Sequence, residues 1–213
     1  MARAFAEIAF TPAVRDIQHH QGSANAYGKF LLPEVDAQNR LSAAERSFIT
    51  ARDGFYQATI SATGWPYVQF RGGPVGFLNV LDDQTIAYAD YRGNRQYVSA
   101  GNITENDRIS LILMDYPNQA RLKIWGRAKL VADETLCASL HDPDYRAKPE
   151  RAVVITIEAF DWNCPQHIPQ RLTLEELEPV LRHLRDQGDL GDLGDGPDEI
   201  TDMLAALTRN RRV

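Results

Sequence analysis

From Phe55 to Val131 the chain alternates short apolar runs, rich in aromatic and β-branched residues, with polar turns. That pattern predicts antiparallel strands. Phe55 to Ala62 and Tyr67 to Phe70 flank Thr63-Gly64-Trp65-Pro66, a first hairpin. Phe77 to Leu81 and Thr85 to Ala89 flank Asp82-Asp83-Gln84, a second, and Ile109 to Met114 and Arg121 to Val131 flank Asp115-Tyr116-Pro117-Asn118, a third. Ala152 to Phe160 reads as a last strand. Only Arg95 to Asn102 breaks the series, as a short helix. Strands this close together, without a helix between each pair, argue for a barrel or sandwich rather than a parallel sheet. The expectation is a mainly β fold with flanking helices, its core a closed antiparallel barrel of about six strands.

Helical signals cluster at the two ends. Thr11-Pro12 reads as a cap and first helical position that opens a helix fading before Gly22. Ser42-Ala43-Ala44-Glu45 has capping-box spacing, with Phe48 and Ile49 following on one face and Asp53-Gly54 stopping the helix. Thr135 to Leu140 is another short helix. Thr173-Leu174-Glu175-Glu176 is a second capping box, followed by Leu177, Val180, Leu181 and Leu184 at helical spacing. A Gly/Asp loop from Asp186 to Pro197 and a final helix from Asp198 to Arg209 complete the chain; the EF-hand order of calcium ligands is absent from that loop. The predicted organisation is therefore a helical or irregular segment at 1–40, a barrel domain at 41–171 and an acidic helical appendage at 172–213.

The 213 residues carry a formal charge of -6. From Arg171 onward there are ten acidic and six basic residues, so the appendage holds most of that excess. An acidic chain gives no global attraction to nucleic acid or to anionic lipid. Cys137 and Cys164 stand in neither a CxxC pair nor zinc-finger spacing, and no apolar run is long enough to span a bilayer. The expected setting is the cytoplasm, with no metal centre.

Three stretches could carry chemistry. Arg71-Gly72-Gly73-Pro74 follows a strand: the glycines let a backbone approach an anion and the guanidinium offers a fork of donors, although Gly-Gly-Pro there also reads as a plain turn. Asp90 to Gln96 (DYRGNRQ) runs from a strand into a helix start, where Gly93 and Asn94 tolerate unusual backbone geometry and free helix N–H groups join two arginines. The alternative is a simple cap with the arginines in water. Asp161 to Arg171 (DWNCPQHIPQR) is irregular and dense in groups that stack or hydrogen-bond, and Trp162 reads equally as a plug in a barrel end. No HExxH, P-loop, Gly-x-Ser-x-Gly or GxGxxG motif occurs, and His19 and His20 point to different sides of a helix.

Taken in order, YVQFRGGPVGFLNVLDD, ADYRGNRQYVSAGNITEN, LILMDYPNQARLKIWGRAKLV and DWNCPQHIPQR resemble the pyridoxamine 5'-phosphate oxidase-related proteins with the FMN-binding split barrel. The resemblance covers roughly residues 40–171. It implies a six-stranded antiparallel split β-barrel, a homodimer with FMN in the subunit interface, and FMN-dependent oxidoreductase chemistry on a small molecule. Arg71 would meet the FMN phosphate, with Asn94, Arg95 and Gln96 as the phosphate-binding turn. Val68 and Gln69 would run along the isoalloxazine ring, with Asp90 at its edge. Arg121 stands where the oxidases commonly have a Gln that contacts the flavin, and Trp162, Gln166 and His167 would reach the cofactor from the partner chain. The Arg-x-His pair that binds pyridoxamine phosphate near the C-terminus is absent, so vitamin B6 oxidation is not implied. Phe70 replaces the His of the relatives' Gln-His-Arg-Gly-Gly. The alternatives are a non-catalytic flavin-binding or electron-transfer module docking a partner through the acidic tail, or a barrel that takes deazaflavin or haem.

Overall fold

The computed structural model describes residues 2–33, 37–162 and 165–186. Cys164, most of the Gly/Asp loop and the helix expected at 198–209 lie outside the described residues. Two compact units are distinguished, Met1–Pro169 and Gln170–Val213.

The first unit is built on one antiparallel sheet. Its seven strands are β1 (Gly54–Ile60), β2 (Pro66–Gly72), β3 (Asn79–Val80), β4 (Thr85–Tyr91), β5 (Arg108–Asp115), β6 (Ala120–Val131) and β7 (Pro149–Trp162), in the order β2-β1-β5-β6-β7-β4-β3. Helices α1 (Ala4–Ala9), α2 (Pro12–His20) and α3 (Ala24–Gly28) precede them. Helix α4 (Ala43–Thr50) leads into β1, α5 (Val98–Glu105) joins β4 to β5, and α6 (Glu134–Leu140) joins β6 to β7.

The three hairpin turns fall where the sequence places them, and the registers pair inward residues with inward residues, as a period of two requires. The sheet curls until its two ends face one another. Phe55 of β1 stacks on Phe77 at 5.5 Å and meets Tyr88 of β4 edge-on at 5.4 Å, although β5, β6 and β7 lie between those strands in the sheet. Ile49, Leu111, Leu113, Leu122, Ile124 and Ile155 fill the same core, each fully buried and each contributing about 1.5–3 kcal/mol of transfer free energy.

The closed six-stranded barrel needs correction: there are seven strands, and backbone pairing does not close them. Strand β2 ends at Gly72-Gly73-Pro74, where proline has no N–H to continue a ladder. Phe77, expected to open a strand, instead turns its ring into the core, which leaves only Asn79–Val80 to pair with β4. Side chains bridge the remaining seam: Arg71 of β2 donates to Asp90 of β4 at 2.8 Å, and the Tyr88 hydroxyl donates to Gln57 of β1.

One end of the sheet is fastened by α4. Its capping box is formed, with the Ser42 N–H donating to Glu45 at 2.9 Å, and the same carboxylate accepts from the Trp162 indole at 2.7 Å. Arg52, just past the helix, pairs with Asp115 at 3.0 Å. On β6 the ladder shifts register at Trp125/Gly126, and a Cβ on Gly126 would collide with the Thr156 carbonyl.

The second unit is described by helix α7 (Leu174–Asp186), capped as expected, with the Thr173 N–H donating to Glu176 at 2.8 Å and the Glu176 N–H donating to Thr173 at 3.2 Å.

Candidate functional site

Alternation along β2 places Tyr67, Gln69 and Arg71 on one face and Val68 and Phe70 on the other. The first three face a cleft of about 240 Å³ at the seam, between β2, the end of β4 and the start of α5. Asp90, Asn94, Arg95 and Gln96 line it too, so six residues expected at a cofactor converge on one concavity.

Asp90 anchors the cleft. It is buried and lies directly opposite Arg151 of β7 in the register, while Arg71 reaches it across the seam. Arg71 Nη1 lies 2.8 Å from Asp90 Oδ1, and Arg151 Nε lies 3.5 Å from Oδ2. Burial pushes the Asp90 carboxyl above its ordinary value in spite of both guanidiniums. The Nε atoms of Arg71 and Arg151 are buried and have no hydrogen-bond partner within the protein. A buried N–H without an acceptor costs about 1–3 kcal/mol, so the Arg71 Nε, on the cleft wall, marks a place for an oxyanion, whereas the Arg151 Nε faces Asp90 Oδ2 behind it.

The turn between β4 and α5 forms the opposite wall. Left-handed backbone occurs at Arg95 (φ 63°) and Tyr97 (φ 56°), not at Gly93 or Asn94, and the helix begins at Val98 rather than Arg95. Helix α5 has no side-chain cap, so its first N–H groups, at Val98, Ser99 and Ala100 on the cleft wall, are open to an anion. Asn94 accepts from the Gln96 N–H at 3.2 Å and so shapes the turn. Ser99 donates to Gln69 at 3.0 Å, joining α5 to β2. Tyr97 donates to Glu150 at 3.0 Å, and Arg151 lies over its ring at 5.2 Å. Although burial opposes it, hydrogen bonds from Tyr97 and Arg151 hold Glu150 below its ordinary value.

The other expected residues lie elsewhere. Val68 is on the outer face of β2, 62% exposed. Arg121 alternates with buried Leu122 on β6, and its Nε is buried without a partner. Trp162 packs edge-on against Phe48 at 4.7 Å with its indole on Glu45. Gln166 and His167 are exposed beyond β7, His167 with a φ of 67°. None of these five lines the cleft.

Sequence reasoning missed Arg151, Glu150, Tyr97 and Ser99. The signal for the first two was a charged pair just before the apolar run AVVITIEAF, whose strand starts at Pro149, three residues earlier than its apolar pattern. Among the described residues there is no cluster of metal-ligating side chains, and no helix is long and apolar enough to cross a membrane.

A sequence profile of the pyridoxamine 5'-phosphate oxidase family matches residues 41–163. Among solved structures, HupZ of Group A Streptococcus is 16% identical, with 62% of this chain and 99% of that chain covered and a TM-score of 0.48. A Lactobacillus delbrueckii protein described as a candidate pyridoxamine 5'-phosphate oxidase is 21% identical over 58% of this chain and 95% of that chain, with a TM-score of 0.46. An FMN-binding protein of Syntrophomonas wolfei is 13% identical over 56% and 83%, with a TM-score of 0.45. No curated protein sequence matches the chain.

Proposed function

The chain belongs to the pyridoxamine 5'-phosphate oxidase family, and from that premise we propose that the cleft at the seam binds the phosphate and ribityl chain of FMN in an FMN-dependent oxidoreductase. The observation that carries this reading is the buried Nε of Arg71, without a hydrogen-bond partner, in a cleft that Arg95 and the opening turn of α5 also line. Charge supports it. Arg71, Arg92, Arg95 and Arg151 stand against Asp90 and Glu150 in and behind the wall, a local excess of two positive charges on an acidic protein. A phosphate monoester carries about -1.5 to -2 at neutral pH, which matches that excess.

Arg71, with Arg95 on the same wall, would hold the phosphate through charge-assisted hydrogen bonds, and the N–H groups opening α5 would complete its shell. When bound, the flavin supplies the redox-active ring; the chain supplies binding, orientation and exclusion of water. No side chain of the cleft is nominated as an acid or base.

A volume of about 240 Å³ is too small for the whole cofactor, since ligand pockets run from about 300 to 1,000 Å³. The ring must therefore extend out of the cleft, and the adjoining outer face favours a second copy as its cover. Phe70, Tyr56 and Ile112 form a row across β2, β1 and β5, and Val68 and Ala58 form the next. Phe70 is 58% exposed, and an apolar hollow of about 380 Å³ beside Ile60, Pro66 and Trp125 continues the surface. Contiguous apolar area of this kind marks an interface. A homodimer would let Val68, Arg121 or the 162–167 segment meet the cofactor of the other subunit.

Phe70 lies on this outer face and covers Gly54 and Gly72, so the replacement of the relatives' His leaves the cleft itself unaltered. Reconstitution with FMN, followed by anaerobic addition of NADH or NADPH, tests the reading: bleaching of the flavin band supports the oxidoreductase. A protein that holds FMN but takes electrons from neither donor nor from a panel of organic reductants is a carrier instead. One that binds only deazaflavin or haem sinks the cofactor assignment.

A further inference from the structure

A second concavity adjoins the cleft and has no part in holding the cofactor. It measures about 200 Å³ and lies between the loop after β2, at Pro74–Phe77, Asn79 of β3 and the end of α6 at Ser139–Asp142. Tyr91 is the wall between the two. It lines the cleft, its ring packs edge-on against His141 at 5.7 Å and Tyr145 at 5.0 Å, and its hydroxyl lies 3.5 Å from His141 Nδ1. Arg71 in the cleft and Pro74 in the second concavity are three residues apart, a span of about 10 Å at most, so a single small molecule can reach from one to the other.

The fold has already committed most of the donors in this concavity. Asn79 Nδ2 donates to the Phe77 carbonyl at 3.0 Å, which fixes the amide and leaves Oδ1, an acceptor. Ser139 donates its hydroxyl proton to the Leu136 carbonyl at 2.8 Å and keeps its lone pairs. Asp142 Oδ1 accepts from the Asp144 N–H at 2.9 Å, and Oδ2 has no partner among the described residues. The carbonyls of the last turn of α6 end here too, beyond the reach of helical donors. His141, whose Nδ1 faces Tyr91, has Nε2 left for a ligand. No lysine or arginine lines the concavity. It is a set of acceptors round one carboxylate, the reverse of the arginine-bearing cleft. An anion would be repelled. A metal ion would find too few ligands, since no cluster of three or more metal-ligating side chains occurs among the described residues. A protonated amine, with three N–H donors and one positive charge, matches the set.

Resting on the FMN reading above, we propose that this concavity anchors the substrate: it takes the protonated nitrogen of a small organic amine, held by Asp142, Asn79 and Ser139, while the rest of the molecule passes Tyr91 toward the flavin. A volume of about 200 Å³ is below the ~300 Å³ at which whole-ligand pockets begin, as suits one end of a molecule that continues beyond it. The charged nitrogen is the handle, and the contact between Tyr91 and His141 fixes the wall that the molecule crosses.

The test uses the full chain, labelled with nitrogen-15, and three probes of similar size and different charge: n-butylammonium, butyrate and 1-butanol. Amide shifts of Gly76, Ser139 and His141 are followed at matched ionic strength in the wild type, Asp142→Asn and Asp144→Asn. The last removes a neighbouring carboxylate that does not line the concavity. Circular dichroism checks the fold of each. The wild type and Asp144→Asn are expected to bind n-butylammonium alike, and Asp142→Asn roughly fivefold or more weakly, with butyrate and butanol at least about fivefold weaker than n-butylammonium on the wild type. With FMN present, n-butylammonium should shift the visible flavin bands of the wild type and, at the same concentration, shift those of Asp142→Asn far less.

Amides that ignore n-butylammonium, an equal response to butanol or butyrate, or equal losses in Asp142→Asn and Asp144→Asn would overturn the proposal whether or not FMN binds. The three probes on the wild type decide the matter even if Asp142→Asn does not fold. Amine binding that leaves the spectrum of bound FMN untouched would overturn the assignment to the substrate. If the protein holds no FMN but binds the amine through Asp142, the ammonium site stands and the FMN reading falls.

Discussion

In the turn between β4 and α5, Arg95 and Tyr97 hold left-handed backbone that glycine would adopt without strain. Each costs on the order of 1–2 kcal/mol and persists because the surroundings fix it, a condition that clusters at functional sites. Arg95→Gly is therefore expected to leave the unliganded protein as stable or more stable, by up to ~1 kcal/mol in urea denaturation, while FMN affinity drops. A loss of stability with unchanged FMN binding would mean that the strain serves the fold and not the ligand. The residues legible in the sequence were those whose type announces anion chemistry beside glycine: Arg71, Asn94, Arg95. Arg151 was not legible, because it meets Asp90 behind the cleft wall only through the β4–β7 register, a pairing between segments about sixty residues apart.

Elements were read well where alternation was strict and poorly where one side chain changed the path. All three hairpins could be read, but Phe77 leaves the strand pattern for the core, and Tyr97's backbone delays α5 by three residues relative to the expected start. At the β6 bulge, Gly126→Ala should destabilise by roughly 2–3 kcal/mol in denaturant unfolding, since the added methyl meets rigid backbone in a long central ladder. A change below 0.5 kcal/mol would show that the bulge relaxes freely. The fastening of α4 sets the acid response. Burial raises the Glu45 and Asp115 carboxyls, but hydrogen bonds from Ser42 and Trp162 to the first, and from Asn118 with the Arg52 charge to the second, outweigh it, so both stand below their ordinary values of 4.5 and 3.8. A lowered folded value means stability that is complete above the ordinary value and lost as pH falls through the folded one. Asp90, raised, works with the opposite sign and is lost as pH rises. Unfolding free energy should fall from about pH 6 to about pH 3, and less steeply in Glu45→Gln; an unchanged slope in that variant would remove Glu45 from the explanation.

For the whole molecule, the seam and the outer face are two aspects of one design. A sheet that curls round a core without closing leaves a cleft where its ends meet, and the strands beside that cleft expose apolar rows. The sequence supports curvature, since inward positions alternate, but not closure, which depends on where Gly72-Gly73-Pro74 stops a strand and on side chains meeting across the gap. If a second copy covers the outer face, Ile112→Lys, at the β5 end of the exposed row, should convert a dimer to a monomer in sedimentation velocity. Its circular dichroism should stay unchanged, and FMN should bind at least ~10-fold more weakly, about 1.4 kcal/mol. A dimer that survives the lysine would place the interface elsewhere.

The most direct measurement is an FMN titration of the wild type and of Arg71→Ala, followed by visible absorbance and flavin fluorescence. Saturable binding by the wild type, with Arg71→Ala at least ~30-fold weaker, about 2 kcal/mol, is the expected result for a cleft whose buried guanidinium holds the phosphate. FMN bound equally well by both proteins, or by neither, would contradict it.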